Sequence, residues 1–243
     1  MAVIRMNYRS SELRRSTDVI LILPTSMSKS ARPAEGAKYP VLWLLHGGIS
    51  DGNDFLNYSN VVGYAEDAQT AVVIPTSEGY FFEEPYYTFV TEELPRLLRF
   101  LYPLSDKREE NFIGGLSHGG DCSMRAALEH PDRYAAALIM SAAGTEHHGE
   151  VGKVPLRFDV FGLAEKDLAE KAEMPRLIFA TGGGDRGFPF YTPIIDRLEA
   201  MGIAVEREFE PEDGHSWGFW DRMLKRALGE LFGLSHKPIF TEE

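Results

Sequence analysis

Two kinds of apolar pattern alternate along this chain. Residues 39–45, 71–75, 111–116, 134–142 and 176–181 are short runs in which nearly every side chain is apolar or small, as expected of strands buried on both faces. Residues 203–209 predict a last strand. Residues 61–67, 121–129, 191–201 and 217–231 read as helices, the third of them closed by Gly202. Residues 89–101 carry Val90, Leu94, Leu97, Leu98 and Leu101 at helical spacing, and Pro95 predicts a kink in that helix. The stretch 143–175 is polar and irregular, with one short charged helix expected at 164–171. Near the start, 3–8 and 17–23 predict an antiparallel pair at a sheet edge. Residues 24–38 predict a loop, 79–87 an aromatic loop, and the tail from Gly233 is short and mostly polar.

Strands that alternate with helices, and are themselves almost wholly apolar, imply a mainly parallel sheet with helices on both faces. No linker or internal repeat interrupts the pattern, so a single α/β domain over residues 1–243 is expected. The stretch 143–175 holds no continuous apolar helical stripe, so no large lid domain is expected.

Composition narrows the partners. The 44% hydrophobic and 26% charged residues are ordinary for a globular protein. A net charge of −12 argues against nucleic acid, which needs a concentrated basic surface. Arg96, Arg99, Lys107 and Arg108 do cluster, but Glu92, Glu93, Glu109 and Glu110 interleave with them as on a solvated face. No apolar run is long enough to span a bilayer, and residues 1–12 hold no apolar signal core. Cys122 is the only cysteine, which excludes an internal disulfide framework. The expectation is a cytoplasmic protein without membrane partner, its oligomeric state left open.

The chemistry concentrates at strand ends. Gly115-Leu116-Ser117-His118-Gly119 lies between a strand and a helix, the context in which G-x-S-x-G forms a nucleophile elbow. Serine needs a neighbouring base, and of seven histidines His215 is the candidate. It follows Gly214 in the loop between the last strand and the last helix. A carboxylate must orient that imidazole; Asp185, directly after a strand and three glycines, is preferred to Asp159, Asp167 and Asp213. The order Ser117, Asp185, His215 is that of the α/β-hydrolase fold. Two backbone N–H groups should hold the oxyanion: that of His118 and that of Gly48, with Gly47 next in preference. His130 reads as a helix C-terminal partner. His147 and His148 are adjacent with no further ligand pattern, so neither metal nor cofactor is expected.

Three stretches carry a family resemblance: Leu45-His46-Gly47-Gly48, residues 108–117, and Gly214-His215-Ser216-Trp217-Gly218-Phe219-Trp220. Together they are similar to the esterase D/tributyrin esterase group of α/β-hydrolases, which includes feruloyl and acetyl-xylan esterases, S-formylglutathione hydrolases and mycolyltransferases. The resemblance runs from about Met6 to Leu231. It implies a serine carboxylesterase acting on a small ester through Ser117, Asp185 and His215. The residue after the serine is commonly Met in the group and is His118 here. No counterpart of the cysteine-containing segment of S-formylglutathione hydrolases follows the His-Gly loop. An acyltransferase with the same triad, and an inactive binding module on the same fold, are the alternatives. Gly47, Tyr80, Phe82, Tyr86 and Trp217 are the candidate substrate contacts, and a compact pocket for short acyl or small aromatic-acid esters is expected.

Overall fold

The structure, a computed structural model, describes residues 1–26, 30–79, 83–142, 155–234 and 239–242. Strands β1 (Ala2–Ser10) and β2 (Arg15–Leu23) form the expected antiparallel hairpin, with Ala2 opposite Leu23. A short β3 (Ala31–Pro33) precedes β4 (Val41–Leu45). Helices α1 (Gly52–Tyr58) and α2 (Val61–Asp67) lead to β5 (Ala71–Pro75). Then come α3 (Glu84–Thr88) and α4 (Leu94–Leu101), β6 (Asn111–Leu116), α5 (His118–Glu129) and β7 (Ala136–Met140). The chain continues through α6 (Val160–Glu170), β8 (Arg176–Gly182), α7 (Phe188–Ala200), β9 (Val205–Glu210), α8 (Trp217–Arg226) and β10 (Phe240–Glu242).

Among the described residues, eight strands make one sheet in the order β1-β2-β5-β4-β6-β7-β8-β9. The pairings from β5 to β9 are all parallel, and those of β1 with β2 and β2 with β5 are antiparallel. Alternate side chains of each strand point to opposite faces, and the core divides accordingly. Val41, Trp43, Leu45, Ile113, Ile139 and Phe179 pack on the side of α3 to α7. Leu42, Leu44, Phe112, Leu138, Met140 and Ile178 pack under α1, α2 and α8. This two-sided burial is why β4 to β8 lack polar alternation. Parallel pairing points the carboxyl ends of β4, β6, β7, β8 and β9 to one edge of the sheet, where open α/β sheets place their sites.

The differences from the sequence expectation have local causes. Residues 31–33, expected in a loop, pair antiparallel with β10, so the polar tail returns to the body of the protein. Pro85 in the first turn of α3 makes a helix of what read as the end of an aromatic loop. The predicted kink at Pro95 is a π-helical turn over Phe89–Glu93, in which the Leu94 N–H reaches the Phe89 carbonyl; the wider turn absorbs the proline that cannot donate. That turn brings Glu93 inward, where its carboxylate accepts from Tyr8, Ser10 and Ser11 hydroxyls and from the Ser11 and Glu12 N–H groups. The short helix expected at 164–171 starts earlier because Asp159 caps it, accepting from the Gly162 N–H. Residues 143–154 of the same stretch lie outside the described residues. No helix among the described residues is long and apolar enough to cross a membrane.

Candidate active site

The elbow is built by collision avoided. Ser117 has φ +53° and ψ −120°, a region that costs a non-glycine residue about 1–3 kcal/mol and persists only where its surroundings impose it. The Ser117 N–H donates to the Met140 carbonyl at 2.8 Å, and its own carbonyl accepts from Asp121 at 3.0 Å. A Cβ on Gly119 would stand 2.3 Å from the Leu45 carbonyl oxygen, and one on Gly115 would stand 2.5 Å from the Gly119 carbonyl carbon. Backbone is met in both cases, so nothing can yield. Both positions exclude a side chain, and the Leu45 carbonyl oxygen at the end of β4 would lie within 2.7 Å of a Cβ at either.

Beyond β4, His46 is fully buried. Its Nε2 accepts the Ser77 N–H at 2.9 Å, so the proton sits on Nδ1 and is donated to the Gly47 carbonyl at 2.8 Å. Burial lowers its pKa, which keeps the ring neutral. Because the peptide is planar and trans, anchoring the Gly47 carbonyl turns the Gly48 N–H to the opposite side. A Cβ on Gly47 would lie 3.7 Å from that of Ser117, and one on Gly48 would lie 2.2 Å from His118 Nδ1. Gly47, Gly48, Ser117 and His118 are therefore gathered at one place.

Two strands away, Asp185 and His215 meet. The loops that carry them are stitched through their backbones: Gly183 N–H to Glu210 carbonyl at 3.0 Å, and Gly184 N–H to Asp213 carbonyl at 2.8 Å. A Cβ on Gly182 would be 2.2 Å from that Asp213 oxygen. The glycine run thus serves this close approach rather than a simple bend. Asp185 is buried, and its Oδ2 accepts His215 Nδ1–H at 2.9 Å while Oδ1 accepts the Gly187 N–H at 2.8 Å. Burial alone would raise the Asp185 pKa, but the hydrogen bonds from His215 and Gly187 outweigh it and hold the carboxyl below its ordinary range. Imidazole Nδ1 is committed to the carboxylate, leaving Nε2 as the free acceptor. The rival carboxylates lie elsewhere: Asp213 pairs with Arg222, Asp159 caps a helix, and Asp167 is buried within α6. His130 ends α5 and stacks on Tyr87. His147, His148 and His236 lie outside the described residues.

The profile of the Putative esterase family matches residues 10–148. The chain belongs to this family. Among curated relatives, the acetyl esterase of Caldicellulosiruptor saccharolyticus is 26% identical over 94% of this esterase and 97% of its own length. The fluorophosphonate-binding serine hydrolase F of Staphylococcus aureus, solved with substrate bound, superposes with a TM-score of 0.84 at 26% identity, covering 96% of this chain and 98% of that one. The S-formylglutathione hydrolase of Staphylococcus aureus superposes at 0.82, also at 26% identity, over 96% of each chain. The fold is that of the α/β-hydrolases, and the esterase is a carboxylic ester hydrolase.

The candidate substrate contacts differ in part from expectation. Tyr86 is fully buried beside Phe89, beneath the sheet among the α3–α4 core residues; it is a core residue and not a substrate contact. Tyr80 and Phe82 lie outside the described residues. Trp217 is half-buried, edge-on to Phe55 at 5.3 Å and tilted against the exposed Tyr58 at 5.5 Å. Cys122 is buried in α5, and burial pushes its thiol up to about 12, which leaves it an inert filler. Among the described residues no three His, Cys, Asp or Glu side chains cluster as a metal site would require. Sequence reasoning missed Ser141, Gly187 and Trp220, which surround the acid and the histidine. Trp220 stood in the Gly214–Trp220 motif, but a left-handed Ser141 at a strand end leaves no mark in composition or period.

Proposed function

We propose that this esterase hydrolyses short-acyl esters through a covalent acyl-enzyme on Ser117, with His215 as base and Asp185 as the acid that orients it. The observation that carries the reading is the His215 Nδ1–Asp185 Oδ2 hydrogen bond of 2.9 Å at the same sheet edge as a serine held at φ +53°. Ser117 Oγ attacks the ester carbonyl while its proton passes to His215 Nε2, and the carbonyl electrons move onto oxygen. The N–H groups of Gly48 and His118 receive that oxyanion, each donor contributing about 3 kcal/mol to the barrier reduction. Collapse breaks the ester C–O bond, and His215 returns the proton to the departing alcohol. Water then enters in the alcohol's place: His215 takes a proton from it as the oxygen adds to the acyl carbon, and when the acyl C–Oγ bond breaks His215 returns that proton to Ser117, releasing the carboxylic acid. Asp185 stays ionised and stabilises each imidazolium.

The acetyl esterase relative supports a short acyl group. The single, buried cysteine fits a reducing compartment, and we place the enzyme in the cytoplasm. Hydrolysis and acyl transfer share every residue above, so the acceptor decides between them. A panel of p-nitrophenyl esters of increasing acyl length, assayed with and without added alcohol, tests the reading. kcat/KM highest for acyl chains of roughly two to four carbons is expected, since each methylene a pocket accepts contributes about 0.8 kcal/mol and none beyond its wall does. Ester product exceeding free acid when alcohol is present would assign an acyltransferase instead.

A further inference from the structure

An ester presents an acyl group and an alcohol, and the chemistry of the site fixes where the alcohol lies. Gly48 and His118 receive the carbonyl oxygen, while His215 Nε2 has to reach the leaving oxygen to return its proton. The alcohol is therefore seated against the His215 imidazole, a side chain that is 29% exposed. From that ring an aromatic series runs to the surface. Trp220 stands perpendicular to His215, at 88° with centroids 4.8 Å apart, and its Nε1–H donates to Ser141 Oγ at 2.9 Å. Trp217 is perpendicular to Trp220 at 5.3 Å and edge-on to Phe55 at 5.3 Å. Tyr58, the last residue of α1, tilts against Trp217 at 5.5 Å. Exposure rises along the series: Trp220 is 5% exposed, Trp217 is half-buried and Tyr58 is 58% exposed.

Two features make this strip a surface for a ligand. The buried rings of Phe55 and Trp220 both bear on Trp217, so its orientation is set beforehand and little rotamer freedom is left to lose on binding. The charges beside the strip are already paired: Arg222 with Glu210 and Asp213, and Asp221 with the Asn60 N–H and the Tyr64 hydroxyl. Neither offers a free charge to an ionic alcohol. We propose that Trp217 and Tyr58 form the subsite for the leaving alcohol, and that the alcohol they take is neutral and aromatic. The inference rests on Ser117 and His215 acting as given above. The same subsite serves the reverse entry. An alcohol held on Trp217 gives its proton to His215 as its oxygen adds to the acyl carbon, and the proton passes to Ser117 Oγ when the acyl C–Oγ bond breaks.

The test reads the subsite from a common acyl-enzyme. Wild type, Tyr58→Ala and Trp217→Leu are acylated by p-nitrophenyl acetate with equal concentrations of 2-phenylethanol or ethanol present, and the acetate esters formed are measured against free acetate. For each protein the acyl-enzyme is the same with either alcohol, so the ratio of the two ester yields depends on the alcohol side alone. Wild type is expected to transfer acetyl about tenfold more readily to 2-phenylethanol than to ethanol, the effect of one ring packed on an aromatic surface. Tyr58→Ala should cut that ratio about threefold, and Trp217→Leu, which keeps apolar bulk, should bring it to within about twofold of unity. The kcat/KM ratio of 2-phenylethyl acetate to ethyl acetate should fall in parallel, whereas that of ethyl phenylacetate to ethyl acetate, with the ring on the acyl side, should not move. Tyr58 is exposed, so its variant keeps the test decisive should Trp217→Leu fail to fold. Equal transfer to both alcohols by wild type, a ratio unmoved in a folded variant, or a loss confined to ethyl phenylacetate would overturn the inference, and fluorophosphonate labelling of Ser117 in the same protein would leave the triad reading standing. Wild-type protein that resists the label would overturn both.

Discussion

Replacing Asp185 by Asn removes one charge and exchanges one acceptor for a donor, and the structure dictates which way the amide turns. The Gly187 N–H, 2.8 Å from Oδ1, demands an acceptor, so the amide oxygen takes that side. The NH2 group then faces His215 Nδ1, where the carboxylate Oδ2 stood at 2.9 Å. Nδ1 has to accept, the ring proton moves to Nε2, and the atom that should take the Ser117 proton already holds one. The lost charge-assisted bond accounts for about 1.5–3 kcal/mol. With the wrong tautomer added, kcat should drop about 10³- to 10⁴-fold, as misheld imidazoles cost serine triads. Initial rates on p-nitrophenyl acetate, with circular dichroism and melting to confirm the fold, measure it. Asp213→Asn is the control: Asp213 pairs with Arg222, and its loss should change kcat by less than about twofold. An Asp185→Asn enzyme within tenfold of wild type, or an Asp213→Asn enzyme more impaired, would refute the assignment of the acid.

Further expectations follow from particular contacts. Ser117→Ala and His215→Ala should each abolish nearly all turnover, and the double variant should be no worse than either, because the pair acts as one unit; additive losses in single-turnover assays would contradict this. Gly48→Ala should impair kcat because its Cβ would fall 2.2 Å from the His118 ring, and His118→Ala, near wild type alone, should restore activity to that variant by making room. Glu93 is buried; burial raises its pKa, yet hydrogen bonds from Ser10, Ser11 and Glu12 prevail and hold it at about 2, against 4.5 unperturbed. A depressed carboxylate stabilises above its unfolded pKa and loses that contribution as pH falls through the folded one. Glu93→Gln should thus lower unfolding free energy by on the order of 3 kcal/mol at pH 7, with the gap closing between pH 4.5 and 2. Urea titrations showing a gap that does not change with pH would rule out the carboxylate as its source.

The parallel sheet was legible because both of its faces are buried. Strands such as 41–45 and 71–75 carry no polar residue, and a period of neither two nor three and a half leaves few other readings. The elbow was legible because Gly115 and Gly119 are required by backbone contacts that any sequence folding this way must respect. What escaped detection depends on residues distant in sequence. The β3–β10 pair joins segments 31–33 and 240–242, too short for any periodic signal. Tyr86 lies in an aromatic stretch that looks alike whether it walls a pocket or fills a core, and only packing against Phe89 separates the two. His46 stands in the Leu45-His46-Gly47-Gly48 stretch with nothing in the sequence to mark its role, which is to fix the Gly47 carbonyl and is visible only when Ser77 occupies Nε2.

The central claim is that Ser117 carries the acyl group during turnover. Rapid acid quench of the enzyme reacting with p-nitrophenyl acetate, followed by peptide mass mapping, tests it most directly. The account predicts an acetyl adduct on the peptide containing Ser117, absent from Ser117→Ala, together with a burst of nitrophenol equal to the enzyme concentration wherever deacylation limits. An adduct on another residue, or steady turnover by Ser117→Ala at the wild-type rate, would contradict it.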